Sequence, residues 1–275
     1  MGALRPHSHI MKLNLIVTEI DRKLATHFVE QTHYSPIMPR LTRHFLGFYQ
    51  ENELKGVLTL GWGTRPRHTI QKLFPSLNTD DYFEIGKMCM GDEMPRNSES
   101  QMVAQTVKWL KQYHPSRIFL YTMADGIMGK CGYVYQASNF YYGGQYLTMV
   151  YLMPNGEKLH PRSTKKLLIE NQEFSGRKKL HWMTRDFMIH KGIRLIEGQM
   201  FRYIYPLNKS AKRMMEKEST TEWTKNYPKD HDLIWYDKTT LPKQVIPKPD
   251  FTYENMEFNP QAQKSSEINL LEFFN

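Results

Sequence analysis

The middle of the chain constrains the fold most, because strand-like and helix-like patterns alternate there. Tyr82–Met90 is a mostly apolar run of the kind that forms a buried strand. Ser98–Tyr113 then carries apolar residues at helical spacing. Arg117–Met123 and Tyr146–Met153 are further apolar strands, separated by a short helix near Tyr133–Phe140. This order predicts an α/β (α+β) fold with a central sheet flanked by helices.

The sequence around this core predicts attachments at both ends and one insertion. Residues 1–11 are expected to be a leader, and residues 12–207 form the α/β domain. Within that domain, residues 158–194 contain ten Lys or Arg against three acidic residues and predict two helices around Ser175-Gly176. Residues 208–275 contain many Lys and Pro and predict an extended tail at the periphery.

Charge and hydropathy exclude some classes of protein. The net charge is +9 and the pI is near 9.3, which favours a polyanionic partner such as nucleic acid, or else a generally basic surface. No apolar run approaches the roughly 18 residues that cross a bilayer, and the N-terminus lacks the apolar region of a signal peptide. The two cysteines, Cys89 and Cys131, fit a reducing compartment. We therefore expect a soluble, cytoplasmic protein with no membrane partner.

The loop that leads into the helix at Ser98 is a candidate phosphate site. The first turn of a helix offers unpaired backbone N–H groups and the positive end of a dipole, which together bind phosphates. Arg96 adds a guanidinium group, and Asn97, Ser98 and Ser100 add hydrogen-bonding side chains. The alternative is a capped helix that binds no ligand.

Two loops carry candidate catalytic residues. His33 offers a base or a metal ligand beside the ring of Tyr34, although a lone loop histidine is also commonly only solvated. Asp125 stands just past the strand Arg117–Met123, where ligands of open α/β sheets bind, so it is a candidate base or ligand. Its alternative role is to cap the turn before Gly126.

Several motifs follow one another in a recognisable order. A His-Tyr-Ser loop is followed by Pro95–Ser100, by Ala124-Asp125, by Tyr135–Gly144 and by Arg202-Tyr-Ile-Tyr. This succession, over about Ile20–Lys209, resembles the phage Mom family, which is similar to GNAT acyltransferases. The resemblance implies a GNAT-like central mixed sheet. It also implies an enzyme that transfers a methylcarbamoyl-type group to the exocyclic amine of adenine in duplex phage DNA, which then evades restriction.

The resemblance also implies roles for single residues. His33 and Tyr34 match a loop at the active site that is associated with iron, which makes His33 a candidate metal ligand. Asp125 and Tyr135 match the catalytic centre, where the Tyr135 phenol would protonate the departing CoA thiolate. Tyr135 is otherwise one more aromatic residue of the core. Ser100 matches a position near the acyl donor.

The donor implied by the resemblance is acetyl-CoA or a related acyl-CoA. Lys87 falls where the family often carries Arg beside the donor, and the backbone N–H groups of Met88 and Met90 are expected to polarise the thioester. Asn139, in the late helix motif, is a further donor-binding candidate. The candidate DNA-binding residues lie in the basic insertion: Arg162, Lys165, Lys166, Arg177, Lys178 and Lys179.

Two other functions remain open from the sequence. A GNAT N-acetyltransferase acting on a protein or a small amine would have the same fold. A non-enzymatic DNA-binding protein on a GNAT scaffold would have the same charge. An oligomer is compatible with either.

Overall fold

A computed structural model describes residues 12–63, 66–161, 165–253 and 257. Its centre is one ten-stranded sheet. The strands are β1 (Ile16–Glu19), β2 (Thr42–Gln50), β3 (Glu53–Gly61), β4 (Tyr82–Met90), β5 (Phe119–Asp125), β6 (Tyr141–Leu152), β7 (Lys158–Leu159), β8 (Arg194–Pro206), β9 (Trp235–Asp237) and β10 (Gln244–Ile246). The helices are α1 (Arg22–Thr32), α2 (Ile70–Leu73), α3 (Ser98–Tyr113), α4 (Tyr133–Ala137), α5 (Lys165–Ser175), α6 (Arg185–Lys191) and α7 (Lys209–Lys217).

The sheet is mixed, with strand order β1-β2-β3-β4-β5-β8-β6-β7. β4 and β5 are parallel, and α3 forms the crossover between them. The other neighbouring pairs are antiparallel. The prediction of a central mixed sheet flanked by helices is confirmed. No helix in the described part of the chain is long and apolar enough to cross a membrane.

The two parallel strands separate along their length. Their ladder joins Tyr82–Glu84 to Phe119–Tyr121, and within the described chain it ends there. β4 nevertheless continues along β3 to Met90, and β5 continues along β8 to Asp125. The result is a V-shaped gap in the middle of the sheet, with its apex at the pair Glu84 and Tyr121.

A β-bulge decides which side chains of β4 share a face. Between the pairs Leu60–Ile85 and Leu58–Met88, β4 has one residue more than β3. Such a bulge re-aims the side chains that follow it. Ile85 and Met90 therefore both pack in the large core beneath α3. Glu84 and Lys87, which are three residues apart, share the opposite face.

The basic insertion has a small core of its own. α5 and α6 pack against the end of β6 through buried residues that include Tyr151, Leu167, Met183 and Phe187. The two helices flank Ser175-Gly176, as the sequence predicts. Lys165 and Lys166 are exposed at the start of α5.

The prediction of an extended, peripheral tail is wrong for much of its length. Ala211 is fully buried and Met214 and Met215 pack beside it, so one apolar face fixes α7 on the sheet. β9 pairs with β8 at Ile196 and Glu197, on the edge that β5 vacates after Asp125. The leader, Arg162 and residues 258–275 lie outside the described residues.

Candidate active site

A loop after α1 and the middle of β4 meet through hydrogen bonds. The Lys87 ammonium donates to the carbonyl of Ser35 at 2.5 Å. The Ser35 N–H donates to Nδ1 of His33 at 2.9 Å. The His33 ring stacks on the Tyr34 ring, with centroids 4.3 Å apart. The buried lysine of β4 thus holds the loop that presents His33 and Tyr34.

Asp125 stands at the end of β5 and has two functions in the structure. Its Oδ1 accepts from the N–H groups of Ile127 and Met128, which caps the turn. Its Oδ2 lies 2.5 Å from the ammonium of Lys158, and both side chains are largely buried. Asp125 is therefore both the turn cap and half of a buried ion pair.

The charges of this cluster perturb its ionisable groups. Removal from water and the charge of Lys87 lower the pKa of His33 to about 3, so the ring is uncharged at neutral pH. Burial, and then the charge of Lys158, lower the pKa of Lys87 to about 8. The packing around its phenol and the Asp125 carboxylate raise the pKa of Tyr34, which keeps its proton.

The environment of His33 does not fit a metal ligand. Because Ser35 donates to Nδ1, the neutral ring carries its proton on Nε2, and neither nitrogen has a free lone pair. A metal-bound histidine instead donates its second N–H to an acceptor. Among the described residues, no group of three or more His, Cys, Asp or Glu side chains is placed to hold a metal ion. The prediction of iron at His33 is not supported.

The gap between β4 and β5 has backbone donors on one wall. The N–H groups of Lys87 and Gly91 point towards β3, to the Thr59 hydroxyl and the Lys55 carbonyl. Since successive N–H groups of a strand alternate in direction, those of Met88 and Met90 point into the gap. The side chains of both methionines pack in the core beneath α3.

The start of α3 has a backbone conformation that leaves its first turn open. Asn97 has a left-handed φ of 72°, and its side chain makes no capping hydrogen bond. Ser100 donates to the Asn97 carbonyl at 2.8 Å, and Ser98 is buried. Arg96 is exposed beside this turn. The arrangement is compatible with an anion at the helix N-terminus.

Tyr135 lies in the core on the α3 side of the sheet. Its ring packs against Phe140 and Tyr203, with centroids 5.4 Å away in each case. Burial raises the pKa of Tyr135. Asn139 is exposed and left-handed (φ 62°) just after α4, a position that ends a helix.

One ionisable group at the gap was missed from the sequence. Oε2 of Glu84 and the hydroxyl of Tyr121 are buried without a hydrogen-bond partner among the described residues. Burial raises the pKa of Glu84 to about 7. A Cβ on Gly63 (φ 70°) would come within 2.1 Å of this carboxylate oxygen, so the chain passes directly over it. An acidic residue within an apolar strand was the available signal.

The C-terminal segment contributes to the same cluster. Lys158 lies 5.9 Å from the centroid of the Phe251 ring, and the Phe251 side chain packs with Ile127. Tyr253 lies near the Tyr34 phenol and is the smallest of the contributors to its raised pKa. The region after β10 is therefore part of the wall of the site.

The structure thus brings His33, Tyr34, Lys87 and Asp125 into one cluster. It adds Lys158 and Lys130, whose ammonium lies 5.6 Å from the Tyr34 ring centroid. The other candidates lie on other elements. Ser98 and Ser100 are at the start of α3. Tyr135 is in the core on the α3 side of the sheet, near enough to the Tyr34 phenol to contribute to its raised pKa. The basic residues of the insertion lie on α5 and on the loop before α6.

Comparison with known proteins identifies relatives of the whole core. The Mom protein family matches residues 14–229. The methylcarbamoylase Mom of Escherichia phage Mu is 29% identical over 205 residues, which cover 73% of this chain and 79% of that protein.

Two solved structures also show partial likeness. One is an acetyltransferase of Bacillus subtilis in complex with CoA, with a TM-score of 0.37 and 11% identity over 72% of this chain and 100% of that one. The other is an N-acetyltransferase of Staphylococcus aureus Mu50, with a TM-score of 0.37 and 12% identity over 71% of this chain and 99% of that one. Because the family match spans well over half of its length, the chain belongs to the Mom protein family.

Proposed function

We propose that this protein is a transferase that moves an acyl-derived group from an acyl-CoA to the exocyclic amine of adenine in DNA. One observation carries the proposal. β4 and β5 part at Glu84 and Tyr121, and the parted strands bear N–H donors together with the cluster of His33, Lys87 and Asp125. The name of the phage Mu relative, a methylcarbamoylase, supports a group of the methylcarbamoyl type.

The donor would lie in the gap between the strands. The N–H groups of Met88 and Met90 would polarise a thioester carbonyl, since they point away from β3. The open first turn of α3, with Arg96 beside it, would hold the pyrophosphate of the donor. The side chains of Met88 and Met90 would take no part, since they pack in the core.

The acceptor amine would attack the thioester carbonyl from the side of the cationic cluster. A C–N bond forms, the C–S bond breaks with departure of the CoA thiolate, and the amine loses a proton. The step transfers the acyl group unchanged, so a methylcarbamoyl product requires a donor that carries the methylcarbamoyl group as its thioester. With a pKa of about 7, Glu84 suits the task of proton acceptor better than His33, with a pKa of about 3. His33 would instead donate its Nε2 hydrogen to the adenine ring. Tyr135 would protonate the CoA thiolate.

DNA would reach this site with the target base outside the helical stack, since an amine in a duplex is otherwise inaccessible. The exposed cations of the insertion, Arg177, Lys178 and Lys179, would contact phosphates. Lys130 and Lys158 add positive charge at the cluster itself.

Purified protein incubated with acetyl-CoA, related acyl-CoA donors and duplex oligonucleotides tests the proposal. We expect a mass increase on deoxyadenosine after digestion to nucleosides, dependent on the donor. Small amines and a lysine-containing protein serve as competing acceptors. Acylation of those acceptors, with unmodified DNA, would overturn adenine as the substrate.

A further inference from the structure

The loop between α5 and α6, residues 176–184, presents an aromatic side chain from an anchored backbone. Trp182 is 53% exposed. Its carbonyl nevertheless accepts from Nδ2 of Asn171 at 3.3 Å, and Oδ1 of Asn171 accepts from the N–H and hydroxyl of Thr184 at 3.3 and 2.7 Å. Asn171 itself is fully buried. The chain on both sides of Trp182 is therefore held while its indole lies in solvent.

The residue after Trp182 strengthens this anchor. Met183 is buried in the core of the insertion, and its N–H donates to the hydroxyl of Tyr151 on β6. The fold thus buries Met183 and leaves the larger Trp182 half exposed. Because the backbone on both sides of Trp182 is fixed, the half-exposed indole presents a flat aromatic face at a defined place on the surface.

The charges of the same loop identify the class of partner. Arg177, Lys178 and Lys179 are all exposed, and they precede Trp182 in the same loop. A run of cations beside an exposed aromatic ring suits a nucleic acid, because the cations contact phosphates and the ring stacks on a base. The charge of the loop is complementary to DNA.

We propose that Trp182 stacks on, or inserts beside, a base of the DNA substrate, while the neighbouring cations contact phosphates. The inference rests on the proposed function, since modification of a base amine in a duplex requires distorted DNA. Apolar side chains that enter a base step stabilise such distortion. Trp182 is thus a DNA-distorting residue distant in sequence from the reaction centre.

The test compares Trp182→Ala and Trp182→Phe with Tyr113→Ala, which removes an aromatic residue of similar exposure (58%) from the end of α3. The probe is a duplex with 2-aminopurine beside the target adenine, followed by fluorescence anisotropy and by 2-aminopurine emission. We expect Trp182→Ala to bind about tenfold more weakly, with an unchanged salt slope and reduced emission. Trp182→Phe should retain most of both signals, and Tyr113→Ala should match the wild type.

Three results would overturn the inference. Equal DNA affinity and equal emission for Trp182→Ala would exclude a base contact. A change of oligomeric state in light scattering, without a change in DNA binding, would show that a second copy of the chain covers Trp182. If the wild type neither binds nor modifies DNA, the proposed function fails together with this inference. If the wild type binds and modifies DNA and Trp182→Ala does so equally well, this inference alone fails.

Discussion

The gap between β4 and β5 and the loop 176–184 both contain several basic residues. The two regions differ in how deeply these residues are buried. At the gap, Lys87 and Lys158 are largely buried, and each ammonium lies 2.5 Å from an oxygen. In the loop, Arg177, Lys178 and Lys179 are exposed. Buried charges shift the pKa values of their neighbours and fix geometry, whereas exposed charges act through a field that salt screens. Burial, more than the number of lysines, therefore distinguishes the candidate reaction centre from the candidate binding surface.

Breaking the buried ion pair should have the largest effect. Asp125→Asn keeps an oxygen to cap the turn but loses the charge opposite Lys158. Misplacement of a catalytic group lowers the rate strongly, so we expect about a 100-fold fall in the rate of DNA modification. DNA affinity should change by less than about twofold, because the phosphate contacts lie elsewhere.

A surface ion pair provides the matched control. Glu53→Gln removes a partner of Lys55 at the exposed start of β3. Exposed pairs contribute little, so the rate and the melting temperature should stay at wild-type values. If Glu53→Gln and Asp125→Asn lowered the single-turnover rate equally, burial would not explain why one ion pair matters for the reaction and the other does not.

The pH dependence of stability sharpens the same contrast. The pKa of Glu84 is 4.5 when exposed and about 7 in the fold, so the folded state binds this proton more tightly. Its contribution is fully present below pH 4.5 and is lost as the pH rises through 7. Between pH 5 and pH 8 the wild type should lose about 2 kcal/mol of unfolding free energy that Glu84→Gln does not lose.

Denaturant unfolding at several pH values measures this difference. Glu173→Gln, on the exposed surface of α5, is the control and should follow the wild type. If Glu84→Gln also followed the wild type, the Glu84 carboxyl would not titrate between the two pH values in the fold.

Neutralising the exposed loop should have the smallest effect on chemistry. Replacing Arg177, Lys178 and Lys179 by Gln should weaken DNA binding about tenfold at physiological salt. The slope of log affinity against log salt should fall by about 0.9 for each lost phosphate contact. The rate with saturating DNA should remain that of the wild type. A slower rate at saturation would mean that the loop takes part in the reaction.

The regular elements with strong local signals were predicted well. The bounds of β4 and α3 agree with the prediction, because a polar loop separates a continuous apolar run from a helical pattern. The tail was predicted to be extended because it contains many lysines and prolines. The one short apolar face within it was not recognised as a helix. Ala211, Met214 and Met215 recur at helical spacing, and that pattern fixes α7.

The site was predictable only in part, since its contacts join distant segments. His33, Lys87 and Asp125 were each candidates, and the fold places them in one cluster. The pairing of Asp125 with Lys158 spans 33 positions, and no local pattern encodes it. The bulge that places Glu84 on the same face as Lys87 depends on the register with β3, which is likewise a tertiary property.

We propose that adenine in DNA is modified at the gap between β4 and β5. The most direct test is the nucleoside mass spectrum of plasmid DNA from cells that express the wild type or Asp125→Asn. We expect a heavier deoxyadenosine derivative with the wild type and its near-complete loss with the variant. Unmodified deoxyadenosine from cells that contain folded, DNA-binding wild-type protein would contradict the claim.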